Sequence, residues 1–311
     1  MLPYLESFWG ITEREPRIRL PLHIRTGLLE ASLAVYKLLD AHQKKKCMLM
    51  MERLQDRELP FHVRSAIAVQ QSVSLSFQGN HDESDEILNE ALKFCPVELV
   101  DVRSRCSYGR MILSQAEIAI MRKDFRRVRQ CLSTWETSQC PSDLEIQVSR
   151  LHQTVIARFY RYSGDLPQSE EGLRVCLKFS HKDASRYHIL HHLGDVCCEC
   201  GFPQDAIQYV LEEVNQLRAQ GNQRSKAFRR ISLPLAEAYV MKYRSGDAPI
   251  SIAKGKAVVR ELLHAFENIG NVDVSDQLNH VRLKVTLARI HWYENHQDLA
   301  RLVLKEAWSL S

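Results

Sequence analysis

The feature that most constrains this chain is a small residue placed seven positions ahead of a turn residue, six times over. Ser72 precedes Gly79, Ala116 precedes Lys123, Ala157 precedes Gly164, Gly194 precedes Gly201, Ala238 precedes Ser245 and Ala288 precedes Asn295. A small side chain at that place lets two helices joined by the turn approach closely where they cross. The pattern therefore reads as antiparallel helix pairs. One such pair cannot hide its apolar face alone and must stack on similar pairs.

The stretch Tyr187 to Val214 shows the local reasoning best. Glycine inside a helix costs roughly 1 kcal/mol against alanine, so Gly194 marks a close approach by another helix. Gly201 stands where the first helix ends in a left-handed turn. Phe202-Pro203 opens the second helix, since proline suits a first turn, and Ala206, Val210 and Val214 at i, i+4 and i+8 form its apolar stripe. The next-best copy runs from His62 to Pro96, with Ser72 at the crossing, Gly79-Asn80 at the turn, Leu88 and Ala91-Leu92 in the second helix, and Pro96 as its stop.

Leu193-Gly194, Cys197, Gly201, Ala206 and Val210 resemble the tetratricopeptide signature of small, apolar, turn-glycine and small residues. Cysteine stands at 197 where that family has an aromatic residue, and no proline closes the second helix. Successive turns are 44, 41, 37, 44 and 50 residues apart, against about 34 for tetratricopeptide units and about 40–47 for HEAT or armadillo units. Turn glycines and crossing alanines recurring together favour the tetratricopeptide-like alternative. The resemblance implies an all-α fold, a right-handed superhelix of about six to seven antiparallel helix pairs, over residues 26–311. Residues 1–25, with Pro3, Pro16 and Pro21, read as an irregular N-terminal cap whose Phe8, Trp9 and Ile11 lie against the first helices.

Composition agrees with helix. Twelve glycines and 10 prolines in 311 residues are too few for the many turns of an all-β chain. The 42 basic and 38 acidic residues are interleaved, which gives nucleic-acid binding little support. Two exceptions, Lys44-Lys45-Lys46 and the group Lys123, Arg126, Arg127, Arg129, carry the alternative of a regulatory or nucleic-acid-binding repeat protein that uses basic helix ends. No window approaches the roughly 18–20 apolar residues of a membrane span, and the N-terminus lacks a secretory pattern. Nine cysteines, an odd number, fit a reducing compartment. The expectation is a cytoplasmic or nuclear protein without a membrane partner.

The densest set of potential ligands is His188, His191, His192, Asp195, Cys197, Cys198 and Cys200. His188, His192 and Asp195 share a helical face, but no CxxC pair accompanies them and Cys197 falls where the repeat needs an apolar residue. No metal is assigned. GxSxG, GxxxxGK[ST], GxGxxG and HExxH are all absent, so no catalytic residue and no cofactor is assigned either. By the resemblance, the first helix of each pair lines the concave side, and its inward residues include Arg110, Glu117, Arg158, Arg161, Tyr162, His188, His191, Asp195 and Glu199. That mixed lining suits a peptide or a partner protein's helix. The expectation is a non-catalytic protein-protein interaction scaffold, free-standing or a subunit or fragment of a larger complex, whose oligomeric state the sequence does not set.

Overall fold

A computed structural model describes residues 2–14, 20–36, 41–54, 58–178, 180, 184–244, 246, 249–267 and 274–310. Pro16, Ser245 and the side chain of Ile11 lie outside this description. Among the described residues there are fifteen helices and no strand. The chain divides into two compact units, Met1–Leu151 and His152–Ser311.

The first unit holds α1 (Leu2–Arg14), α2 (Leu22–Val35), α3 (Ala41–Leu54), α4 (Phe61–Phe77), α5 (His81–Leu92), α6 (Val102–Met121), α7 (Phe125–Leu132) and the start of α8 (Asp143–Ser163). Among the described residues of the first 25, Leu2–Arg14 and those from Leu22 onward are helical, where the sequence suggested irregular structure. Leu5, Phe8 and Trp9 at i, i+3 and i+4 give α1 an apolar stripe, and Leu5 and Trp9 are buried in a cluster with Leu29, Cys47, Met50 and Met51. Phe8 and Trp9 do rest on the first helices, as expected.

The second unit holds the rest of α8, then α9 (Leu166–Lys178), α10 (Ala184–Glu199), α11 (Pro203–Ala219), α12 (Lys226–Arg244), α13 (Ile250–Phe266), α14 (Val274–Tyr293) and α15 (Gln297–Leu310). Contacts follow chain order. In the first unit α4 meets α5 and α6, and α6 meets α7; in the second, α10 meets α9, α11 and α12, α12 meets α13 and α14, and α14 meets α15.

Five of the six turns fall on the residue at which the sequence places them, and that of the fifth pair falls one residue later. Gly79, Lys123, Gly164, Gly201 and Asn295 all have positive φ, and in the fifth pair the left-handed residue is Gly246. Each closes its helix with the paired bonds of a Schellman turn where both are resolved. At Gly201 its own N–H donates to the Cys198 carbonyl at 3.0 Å and the Phe202 N–H donates to the Cys197 carbonyl at 2.8 Å. After two of the turns the next residue caps the following helix with its side chain. Asp124 Oδ1 accepts from the Arg127 N–H at 3.1 Å, and Asp165 Oδ1 accepts from the Gln168 N–H at 3.3 Å.

All six crossing residues are buried. A methyl group added at Gly194 would lie 3.0 Å from Pro234 Cβ and 3.1 Å from Val210 Cγ1. One glycine therefore admits α11 and α12 together. In the pair α4–α5 the crossing is polar but dry: Ser84 Oγ donates to the Ser72 carbonyl at 2.8 Å, and the two hydroxyls are also 2.8 Å apart.

Ionic contacts repeat the same period. Arg127–Asp85 spans 42 residues, Arg161–Glu199 38, Arg218–Glu261 43, Arg229–Asp276 47, Arg282–Glu237 45 and Lys256–Glu294 38. Each side chain reaches one pair along, as the nearest-neighbour logic of stacked repeats requires. On α15, Leu304 and Trp308 are exposed, although Val210 and Val214, which hold the same register on α11, are fully buried.

Candidate functional site

The site grows out of a proline. Pro234 lies inside α12, and having no N–H it leaves the Arg230 carbonyl, four residues back, without its helical donor. His191 on α10 supplies one, with Nδ1 2.8 Å from that oxygen. The bond fixes the tautomer: Nδ1 carries the proton and Nε2 is the free lone pair, 3.7 Å from Asp195 Oδ2. The same proline ring rests on Gly194, and its carbonyl accepts from the Cys198 thiol at 3.6 Å.

Asp195 is 1% exposed and gathers two guanidinium groups. Arg161 from α8 approaches its Oδ2 at 3.0 Å, and Arg282 from α14 forks onto it at 2.9 and 3.2 Å. Arg282 also bonds Glu237 of α12 at 2.7 Å, while Arg161 bonds Glu199 with Nε 3.1 Å from Oε2. The result is a ladder, Glu199–Arg161–Asp195–Arg282–Glu237, running across α8, α10, α12 and α14. Bidentate, charge-assisted bonds of this type are the strong ones. Arg282 to Asp195 is the one contact here that reaches over an intervening pair, 87 residues away in sequence.

The electrostatics follow from burial against this charge. Burial alone would raise the Asp195 carboxyl, but His191, Arg282 and Arg161 hold it well below the usual carboxylate range. Burial raises the Glu237 carboxyl, with Arg282 opposing. His191 is pushed down to about 4 by burial, which Asp195 offsets only in part while Arg282, Arg230 and Arg161 add to the fall. His188 and His192 are lowered further, by burial first and then by the positive field of Arg158 and its neighbours. All three imidazoles are neutral at pH 7. The Cys197 thiol is pushed up to about 12 and Cys198 higher still, mainly by burial.

The nine expected lining residues separate into three groups. Asp195 and His191 are buried and join helices to one another, and Arg161 is consumed by Asp195, Glu199 and the Nδ1 of His192 at 3.2 Å. Tyr162 and Glu199 are exposed, with Arg158 and His188 half-buried beside them. Arg110 and Glu117 belong to the first unit, where Arg110 donates to Gln147 at 3.2 Å and Glu117 is half-buried on α6. Sequence reading missed Arg282, Glu237, Arg230 and Pro234. Only Pro234 carried a signal, as a proline in an otherwise helical run.

Of the basic groups behind the alternative reading, Arg127 and Lys44 are engaged, and Lys45, Lys46, Lys123, Arg126 and Arg129 are exposed. Arg127 forks onto Asp85 at 2.6 and 2.7 Å, and Lys44 sits 6.0 Å from the centre of the Tyr36 ring. No described helix is long and apolar enough to cross a membrane.

No family model matches the chain, and no curated protein matches it. Among solved structures it is similar to BtubC (BKLC) from P. vanneervenii, with a TM-score of 0.52, 14% identity, 76% of this chain covered and 90% of that one. The likeness is one of helical fold.

Proposed function

We propose that the chain is a non-catalytic, tetratricopeptide-like helical-repeat scaffold whose first-helix face takes an extended peptide or a helix of a partner protein. One observation carries this reading: Arg282 of α14 reaches Asp195 of α10 past α12. An arginine side chain spans only about 6–7 Å from its Cα, so the first helices of alternate pairs converge on this side. Such convergence is what a concave first-helix side would give, and a concave wall is where stacked repeats hold extended ligands. The ladder fixes the wall; Arg158, Tyr162, His188 and Glu199 beside it are the groups a partner meets. The positions suit carboxylate capture by an arginine and stacking on a tyrosine.

A peptide-display selection against the whole chain tests the reading. Peptides enriched by the wild type should lose at least about tenfold in affinity, some 1.4 kcal/mol, on Arg158→Glu or Tyr162→Ala. They should keep it on Glu212→Ala, an exposed position on α11. Selected peptides indifferent to both face substitutions would defeat the proposal. In the same assay, duplex DNA and RNA should bind no better at low salt than a neutral control, since phosphate-driven binding climbs steeply as salt falls.

A further inference from the structure

Histidine and carboxylate donors converge at two places in the second unit: His191, His192 and Asp195, and His291, Glu294 and His296. In each group the donor atoms lie within 4.8 Å of one another. In the first group one ring nitrogen of each histidine is left over, but the carboxylate is spoken for: two guanidinium groups hold Asp195, while the Arg230 carbonyl takes the Nδ1 of His191 and Arg161 the Nδ1 of His192. A cation there would face a wall of fixed positive charge.

The second group is built differently. It lies on the Schellman turn that ends α14, where Asn295 is left-handed at φ 62. This turn brings the residue after the left-handed one back against the residue four before it, a place that usually holds an apolar contact. At the turn after α10 the two are Cys197 and Phe202; here they are His291 and His296, tied by the His296 N–H donating to the His291 carbonyl at 2.9 Å. Their ring centres are 6.2 Å apart. Glu294 stands between them, with Oε2 3.8 Å from His296 Nδ1.

Two further observations point to a cation. His291 Nδ1 is buried and has no hydrogen-bond partner among the described residues, so the ring has an unsatisfied nitrogen that coordination at this histidine would account for. The α14 C-terminus also directs its last carbonyls here, which favours positive charge. Lys256 of α13 already answers that preference, its ammonium 2.8 and 2.9 Å from the two Glu294 oxygens. It makes a single ion pair to one carboxylate and its side chain is 40% exposed, against 33% for Arg282 and 12% for Arg161, so it can withdraw into water.

We propose that His291, Glu294 and His296 form a binding site for one divalent transition-metal ion of the zinc and cobalt(II) class, with Lys256 as its competitor. Two imidazoles and a carboxylate are a common donor set for such ions, leaving a fourth position to water. Zinc–nitrogen bonds of about 2.0–2.1 Å require donors about 3.3 Å apart, so rotation of the exposed His296 and the half-buried Glu294 side chains closes the set.

Calorimetry with zinc and visible absorption with cobalt(II), on the untagged full chain, test this. One ion per chain should bind, cobalt should give the intense bands of a tetrahedral or five-coordinate centre, and His296→Ala should weaken binding at least about tenfold. Lys256→Met should tighten it severalfold, an effect a merely structural lysine would not have. His192→Ala, in the other group, should leave affinity unchanged. His296 is exposed, so its replacement keeps the test valid even where His291→Ala fails to fold. No saturable binding, or affinity indifferent to both His296→Ala and Lys256→Met, overturns the proposal.

Discussion

Helices α6 and α10 hold the same place in their pairs, yet they bury different chemistry. On α6 the interior is apolar, with Met111, Ile112, Leu113, Ala116, Ile118, Ala119 and Ile120, or polar but uncharged, with Ser104, Ser114 and Gln115. On α10 an unbroken run from Ile189 to Cys198 is buried and includes His191, His192 and Asp195. Register makes the contrast sharper: Glu117 and Asp195 both stand six residues before the left-handed turn residue, and Glu117 is half-buried while Asp195 is 1% exposed. Arginines from the helices on either side allow the carboxylate to go in. A buried charge is tolerated only when its neighbours pair it and fill its remaining hydrogen-bond capacity.

The largest test of that contrast is removal of the charge. Asp195→Leu should cost about 3–5 kcal/mol in urea unfolding, because it strands two buried guanidinium groups. Glu117→Leu should move stability by no more than about 0.5 kcal/mol. Equal effects would end the distinction between the two helices.

Acid should weaken the α10 region next. His191 has a folded pKa of about 4 against an ordinary 6.5, so between these values the unfolded chain binds the extra proton. Stability therefore falls as pH drops from about 6.5 to about 4, by on the order of 3 kcal/mol for this one group, and changes little from it below that. His191→Asn, which keeps a donor for the Arg230 carbonyl, should make the profile shallower, leaving the part carried by His188 and His192, which burial lowers as well. Asp195 stays ionised throughout this window, since its carboxyl is held below the usual range.

Packing at the crossings gives a smaller effect. Gly194→Ala should cost about 1–3 kcal/mol, since its methyl meets Pro234 and Val210 at once. Ala116→Gly on α6 should cost only about 1 kcal/mol, the propensity difference. The smallest change should be a gain. Lys123 is left-handed at φ 59, so Lys123→Gly should stabilise the α6–α7 turn by about 0.5–1 kcal/mol, seen as a higher melting temperature.

Much of the fold was legible because it is local. A left-handed residue ending one helix and a small residue where two helices cross are demands on single positions, and Gly79, Gly164, Gly201, Ser72, Ala157 and Ala288 display them directly. The N-terminal segment was misread because its prolines were weighed above the Leu5, Phe8, Trp9 stripe. The candidate site was legible only in half. Arg161, His191 and Asp195 stood on the right face, but Arg282 lies 87 residues from Asp195, the Arg230 carbonyl 39 from His191, and Glu237 enters only through Arg282.

By itself the amino-acid order determined the number of helix pairs from Ser72 onward, their turns and their crossing points, since these rest on backbone conformation and side-chain size within one pair. Which of its polar residues go inside was decided only by the packing of pair on pair. Asp195 is buried because α8 and α14 each bring an arginine to it, and His191 because Pro234 of a different helix leaves a carbonyl unsatisfied. Charge pairing acts through space over a few ångströms, and only the assembled stack puts those groups within reach.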